Sequence, residues 1–487
     1  MIVVFTFDGS QRHFNAVQCR LRDETIGMGT GSSVHKKVAG GSNPFHVFVK
    51  DGTDSRPQSG PSYCAEVHVR CDASQCIDVM FVCSEWGSSK GGLPTFNREF
   101  AVNLAKVAGD RIKVHCYVSS SSEEDRLDAR KQGVNLITAR CLPGASDQIE
   151  WLKKPPPELP TPHVVIGHGR KFGIPAYLIS DRTKCKWIHF VHVFCEDLGK
   201  HKLEDSSTPN AIADNEEKNK RELELCEAAD EVVAVGVSLQ HKYMRRIPGI
   251  EVVTPGLCER FAIMNHPISM QPAHAFRVFM FGRGSFEDFA LKGYDIVGKA
   301  VALLGRKFEL TFVGSPQDEQ RTIETWFLEK TKIARNQLTI RRYCNNDEMK
   351  KMFCEADVVV MPSRTEGFGL VALEAISAGV PVLLSSESGI AKALEEVDGG
   401  MNVVVNSDKP EDWATRIKQL SEQKPEHRHA SAMRLRDKYG EIYSWKKECE
   451  GFEQMIHELI QRSGGDVPLN CVLTGNIVLD LYVVYCI

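Results

Sequence analysis

The sequence predicts an α/β chain of two consecutive doubly wound parallel sheets facing a central cleft, and three observations predict it. From Ile77 onward, short apolar runs rich in β-branched residues alternate with longer amphipathic stretches, the pattern of βα units and a parallel sheet. The series runs twice, and the turn Thr254-Pro255-Gly256 separates the two runs with a step that stops regular structure. At 487 residues the chain is also too long for one ordinary core.

In the first series, strands are expected at 77–83, 112–118, 163–167, 187–192 and 231–235, with helices at 94–107 and 217–229. The Pro-rich stretch 154–160 reads as a stiff surface connection, because strand-helix alternation continues beyond it. The second series places strands at 276–281, 309–313, 338–343, 357–361, 381–384 and 401–405, after which helices dominate to about residue 462. The expected division is a first domain over 76–253, a second over 254–425 and closing helices over 426–465. Residues 1–75 and the apolar tail 466–487 receive no functional assignment.

Composition narrows the class. With 42% hydrophobic and 25% charged residues the chain reads as a globular protein. A net charge of −4 leaves no electrostatic footprint for nucleic acid. The 16 cysteines fall singly in or beside apolar runs, and the one close pair, Cys71 and Cys76, lacks partners at zinc-finger spacing. They read as free thiols of a reducing compartment. No basic segment precedes the short apolar start at Met1–Phe7, and Asn470, Gly475, Asn476 and Asp480 break the tail. The expectation is a cytoplasmic protein without a membrane span.

The most informative stretch runs from Met361 to Ala375, Met-Pro-Ser-Arg-Thr-Glu-Gly-Phe-Gly-Leu-Val-Ala-Leu-Glu-Ala. A strand ends at Met361, a polar glycine loop follows, and an apolar helix starts near Leu370 and stops at Gly379 with Pro381 just beyond. Strand-loop-helix at the carboxyl edge of a parallel sheet is where such folds bind ligands. Gly367 and Gly369 allow close backbone approach, and the helix start offers N–H groups to a phosphate. Glu366 and Glu374 flank that cradle, an arrangement unsuited to more anion but suited to hydroxyl groups on either side of it. The alternative is a loop acid and a helix-dipole acid in an ordinary βα unit.

This stretch resembles the signature of glycosyltransferase family 4, two glutamates with seven residues between them around a Gly-Phe-Gly turn. The resemblance covers roughly 77–462 and implies two Rossmann-like domains in the GT-B architecture, with retaining transfer of a sugar from a nucleoside diphosphate donor to a hydroxyl acceptor. It implies that Glu366 contacts the donor sugar, that Phe368, Gly369 and Leu370 present backbone to sugar and diphosphate, and that Glu374 holds the ribose hydroxyls.

Further residues fit the same resemblance. Arg283 follows the strand 276–281, and Lys292 precedes the next helix. Basic residues there can clamp a diphosphate and stabilise charge on a leaving group, although two such residues in a loop are often only solvated. The resemblance assigns the clamp to Arg283 and Lys292. Gly91 and Gly92, ahead of a helix carrying Phe96 and Asn97, resemble the family's first-domain glycine loop. The strand over 187–192 ends in His192, which matches the family histidine that binds or orients the transferred sugar; His168 ends the preceding strand.

Absent motifs exclude other chemistry. The chain shows no Asp-x-Asp for a divalent metal, no Walker lysine loop and no His-Glu-x-x-His. The loop after the strand ending at Cys83 lacks the three spaced glycines of a dinucleotide fingerprint, and no acid on a following strand marks a dinucleotide ribose, so the chain is not read as a dehydrogenase. The expectation is a metal-independent transferase with no cofactor, its partners being a nucleotide-sugar donor, UDP- or GDP-hexose, and an unknown hydroxyl acceptor. A catalytically idle nucleotide-sugar sensor or scaffold of the same fold is the alternative; a phosphorylase or epimerase lacks its expected residues.

Overall fold

The computed structural model describes residues 76–87, 92–197, 211–261 and 275–462. The expectations for 1–75, Gly91 and the tail 466–487 lie outside the described residues. The first sheet contains β1 (Ile77–Cys83), β2 (Ile112–Val118), β3 (Val134–Thr138), β4 (Val164–His168), β5 (Lys186–Val191), β6 (Glu231–Val235) and β7 (Glu251–Val253). All its neighbours pair parallel in the order β3-β2-β1-β4-β5-β6-β7. The second sheet contains β8 (Phe276–Phe281), β9 (Phe308–Ser315), β10 (Leu338–Arg342), β11 (Val358–Met361), β12 (Val382–Ser385) and β13 (Val404–Val405). It is also parallel throughout, in the order β10-β9-β8-β11-β12-β13.

This architecture agrees with the doubly wound α/β fold read from the sequence. Near-continuous apolar strands such as β1 (IDVMFVC) and β11 (VVVM) are covered on both faces, as parallel sheets with helices on each side require. Strand order reverses between β1 and β4, and again between β8 and β11. Each reversal opens a crevice at the carboxyl ends of the strands, because the connecting helices leave toward opposite faces.

Two strands carry no pattern the sequence reading detected. β3 (VNLIT) is a half-buried edge strand, and β7 has three residues, too few to show a period. The 163–167 strand begins and ends one residue later, so His168 closes β4. The 187–192 strand ends at Val191, which leaves His192 as the first residue of the following loop. Most of 401–405 is a 3-10 turn, Gly400–Val403.

The helices that position the crevices are α1 (Gly92–Ala108), α2 (Glu123–Lys131), α3 (Gly169–Thr183), α4 (Ala211–Ala228), α5 (Val237–Tyr243), α6 (Tyr294–Leu304), α7 (Gln320–Thr331), α8 (Asn346–Glu355), α9 (Leu370–Ser377) and α10 (Gly389–Leu394). After them come α11 (Pro410–Ser421), α12 (Pro425–Ile442) and α13 (Trp445–Arg462). In α13, Trp445, Cys449, Phe452, Ile456 and Leu459 are all buried, an apolar stripe at alternating four- and three-residue steps. The stripe packs on the first domain: Phe452 meets Phe100 with ring centroids 4.8 Å apart, and Trp445 stacks on Phe100 at 5.8 Å. Arg111 adds a two-bond pair to Glu453 at 2.6 and 3.0 Å.

The eleven cysteines among the described residues are all free thiols. No helix among the described residues is long and apolar enough to cross a membrane.

Candidate functional site

In the second sheet, the two loops that flank the strand reversal are stitched together. The loop after β8 runs to Gly293, and the loop after β11 runs to Gly369. Arg364 makes the main seam: its guanidinium forks onto Asp295 of α6 at 2.9 and 3.1 Å and also donates to the Ala290 carbonyl. Its backbone N–H donates to the Leu291 carbonyl at 2.9 Å. A planar guanidinium matches a carboxylate in this two-bond geometry, so the fork fixes orientation as well as distance. From below, Phe289 anchors the first loop, buried against Trp326 at 4.7 Å and Tyr294 at 5.2 Å. The seam brings Lys292 to Glu366, with Nζ donating to Oε2 at 2.5 Å, while Ser363 Oγ lies 3.4 Å from the same oxygen.

The Glu366–Gly369 loop is held on its other side by the start of α10. Glu366 N–H donates to the Glu387 carbonyl, Gly389 N–H to the Glu366 carbonyl, and Ile390 N–H to the Phe368 carbonyl at 2.7 Å. Gly369 adopts φ 104° immediately before α9, a left-handed conformation that favours glycine. The first amides of α9 have no acceptor within the helix, and the helix dipole favours negative charge there.

The first domain closes directly over this loop. A Cβ at Gly367 would stand 1.8 Å from the His192 carbonyl oxygen, so only glycine permits the approach. Phe368 is buried with its ring against Gly236, and Leu370 lies over Gly92 at the start of α1. The helices that begin at the two strand reversals therefore meet end against end.

At the first reversal a buried chain of neutral side chains links α1, β4 and the loop after β5. His168, fully buried, bridges Asn97 Oδ1 through Nε2 at 2.9 Å and His192 Nε2 through Nδ1 at 2.9 Å. With Asn97 Oδ1 accepting, His168 carries its proton on Nε2 and accepts at Nδ1 from His192, so an amide orientation assigns both tautomers. Phe96, Phe190 and Phe81 surround the pair. Burial pushes the His192 pKa down to about 3, helped by His189, and pushes His168 well below its ordinary value. Both rings are thus uncharged at neutral pH, because an imidazolium there would lose its hydration.

Glu374 lies on the face of α9 turned toward the segment that joins the sheets. Its Oε1 accepts from Arg260 Nη2 at 2.8 Å, and the residue is 5% exposed. Arg283 sits at the carboxyl end of β8, its carbonyl accepting from the Tyr294 hydroxyl at 3.2 Å. Its charge acts on the Tyr343 hydroxyl, in the residue that follows β10. Beside Tyr343 opens a cavity of about 650 Å³ lined by Ser315, Gln317, Ile340, Arg342 and Cys344.

Of the residues singled out in the sequence, Lys292, Glu366, Gly367 and His192 converge at one point, with Phe368, Gly369, Leu370 and Gly92 forming the contact around it. Glu374 faces Arg260, and Arg283 faces Tyr343. Sequence reasoning missed Arg364, which lies inside the motif but whose partner is 69 residues away. It also missed Arg260, which carries no motif of its own, and gave Asn97 no contact.

The model for family 4 glycosyltransferases in conflict systems matches residues 80–452. The chain is 32% identical over 179 residues to a D-inositol 3-phosphate glycosyltransferase of Paenarthrobacter aurescens, covering 35% of this chain and 43% of that one. The corresponding protein of Corynebacterium glutamicum is 27% identical over 263 residues, covering 50% and 60%. These matches thus span less than two thirds of those relatives' own length. Among solved structures, sucrose-phosphate synthase from Thermosynechococcus elongatus superposes with a TM-score of 0.61 at 18% identity, covering 79% of this chain and all of that one. HepE of Anabaena, in complex with UDP and glucose, gives 0.57 at 15% identity, covering 78% and 99%. Both likenesses are to the fold. With the family match extending over most of its length, this chain belongs to the family 4 glycosyltransferases of conflict systems and has the two-domain GT-B fold.

Proposed function

We propose that the chain transfers a hexose from a nucleoside diphosphate donor, UDP- or GDP-hexose, to a hydroxyl acceptor with retention of anomeric configuration. The observation that carries this reading is the convergence of Lys292, Glu366 and the His192 loop at the facing crevices. Lys292 and Glu366 neutralise each other. A donor supplies a better partner for each: diphosphate oxygens for the ammonium and sugar hydroxyls for the carboxylate.

The diphosphate would lie against the first amides of α9 and Lys292, with Arg283 at the side nearer the Tyr343 cavity. As the bond from the anomeric carbon to the phosphate oxygen breaks, negative charge grows on that oxygen. Fixed positive groups stabilise it without reorganising. The acceptor hydroxyl attacks the anomeric carbon from the same face and passes its proton to the departing phosphate oxygen. Glu366 and neutral His192 would orient the sugar; neither is asked to form a covalent bond. This chemistry requires no divalent metal, so EDTA is expected to leave turnover unchanged. HepE was solved with UDP and glucose, which makes UDP-glucose the first donor to try. The setting is proposed to be the cytoplasm.

The test is a screen of the purified chain against UDP-, GDP- and ADP-sugars, reading thermal stabilisation and release of free diphosphate. One donor should stabilise the chain and be slowly hydrolysed, and Glu366→Ala should lose the hydrolysis. Binding without turnover, even over an acceptor panel, would instead favour an idle sensor. A folded chain that binds none of these donors would sink the site assignment.

A further inference from the structure

The 3-10 turn Glu259–Phe261, in the segment joining the two sheets, is docked along the face of α9 that carries Glu374. Cys258 N–H donates to Ser377 Oγ at 2.9 Å, and one turn along the helix Arg260 Nη2 donates to Glu374 Oε1 at 2.8 Å. A third tie runs to the first domain, where Glu259 pairs with Lys106 of α1 at 2.8 Å. The Arg260 guanidinium packs over the Phe261 ring at 4.9 Å and also faces Glu99 of α1, with Nε 3.8 Å from Oε1. One cation therefore lies between two buried carboxylates, one from each domain.

We propose that Arg260 is a positioning residue for nucleotide binding: it pins the Glu374 carboxylate by Oε1 and keeps it an ionised acceptor for ribose hydroxyls. This rests on the reading of Glu374 as the ribose contact. A diol needs a carboxylate that accepts from both O–H groups, and a protonated acid offers one oxygen fewer. The surroundings push Glu374 toward that unwanted form. Burial raises its proton affinity, Arg260 opposes the rise, and the Glu99 charge adds to it. The groups facing it are Arg260 and Cys258 from the joining segment, Glu99 from α1 and Cys344 beyond β10. Among these Arg260 is the cation, so its charge decides the balance.

The experiment is calorimetric titration of the full chain with UDP, GDP and ADP across pH, comparing wild type with Arg260→Gln, Arg260→Lys and Glu374→Gln. Arg260→Gln is expected to weaken the preferred diphosphate by about 10- to 100-fold near neutral pH, the range for losing a hydrogen bond to a charged group. Affinity should recover as pH rises, with the transition displaced upward from wild type, and Arg260→Lys should restore the wild-type profile. A uniform loss in Arg260→Gln with an unchanged profile would reduce Arg260 to a structural role and overturn the proposal. Should Arg260→Gln not fold, Glu99→Gln decides, because removing the repelling charge must displace the transition downward; no displacement overturns the proposal. If Glu374→Gln binds as tightly as wild type, the ribose reading itself fails, whatever Arg260 does.

Discussion

The two strand reversals share one strand order and face each other, yet the side chains that meet at their centres are neutral at one and ion-paired at the other. At the first, Asn97, His168 and His192 form an uncharged hydrogen-bonded chain inside a cage of phenylalanines. At the second, Lys292 with Glu366 and Arg364 with Asp295 form two ion pairs across adjoining loops. The difference follows from what can be desolvated at tolerable cost: a neutral imidazole needs only hydrogen-bond partners, whereas a charge needs a counter-charge. It teaches that one topology can present a neutral surface to hydroxyl groups and a charged one to phosphate, according to the residues that end four strands.

The largest effect should come from breaking the charged side. Lys292→Ala is expected to reduce transfer by roughly 10²–10³-fold, as for loss of one preorganised donor to developing charge. Steady-state rates would show it, with an unchanged circular dichroism spectrum excluding unfolding. A smaller loss than in His192→Ala would reverse the assignment of charge to this side.

Next, Gly367→Ala puts a methyl group where the His192 carbonyl lies and must push the two sides apart. Misplacement of about 1 Å can cost on the order of 10²-fold. We expect about a 10- to 100-fold fall in kcat with nucleotide affinity much less affected. An equal loss of affinity would place the contact outside the reacting region.

Arg364→Met removes the seam but no group assigned to the donor. It should lower stability by about 1.5–3 kcal/mol, the range for a hydrogen bond to a charged group, read as a lower denaturation midpoint. Activity should fall with it, because Lys292 loses its fixed loop.

The smallest effect sharpens the neutral side. His168 and His192 bind no proton in the folded chain where unfolded histidines do, so the unfolded chain takes up more protons below about pH 6.5. Stability is therefore present above that pH and lost as pH falls toward the folded value. His192→Gln should lose less stability between about pH 7.5 and about pH 5.5 than wild type. The wild-type kcat/KM profile should show no break near 6.5 from this residue. A break there that His192→Gln abolishes would mean the ring is charged in function.

What was legible from the sequence followed from local chemistry. Parallel strands covered on both faces must be apolar runs, so β1, β2, β6 and β8 could be read to the residue, and the glycine-rich turn ahead of α9 announced its helix. β7 was too short to have a period. Glu366 and Lys292 are 74 residues apart and were assigned by a motif and a family pattern. Nothing local marks Asp295 as the partner of Arg364, or Glu374 as that of Arg260, because those pairs exist only once two loops or two segments have been folded together. Likewise Asn97 sits 71 residues from His168, and a buried hydrogen bond leaves no periodicity behind.

We propose that the facing crevices form one donor site, diphosphate on the charged side and sugar between the two. A crystal structure of the chain with a non-hydrolysable nucleoside diphosphate hexose tests it most directly. The diphosphate is expected against Lys292 and the first amides of α9, with the hexose reaching Glu366 and His192. A donor bound elsewhere, or bound with its sugar turned away from Glu366 and the Lys292–Glu366 pair intact, would contradict it.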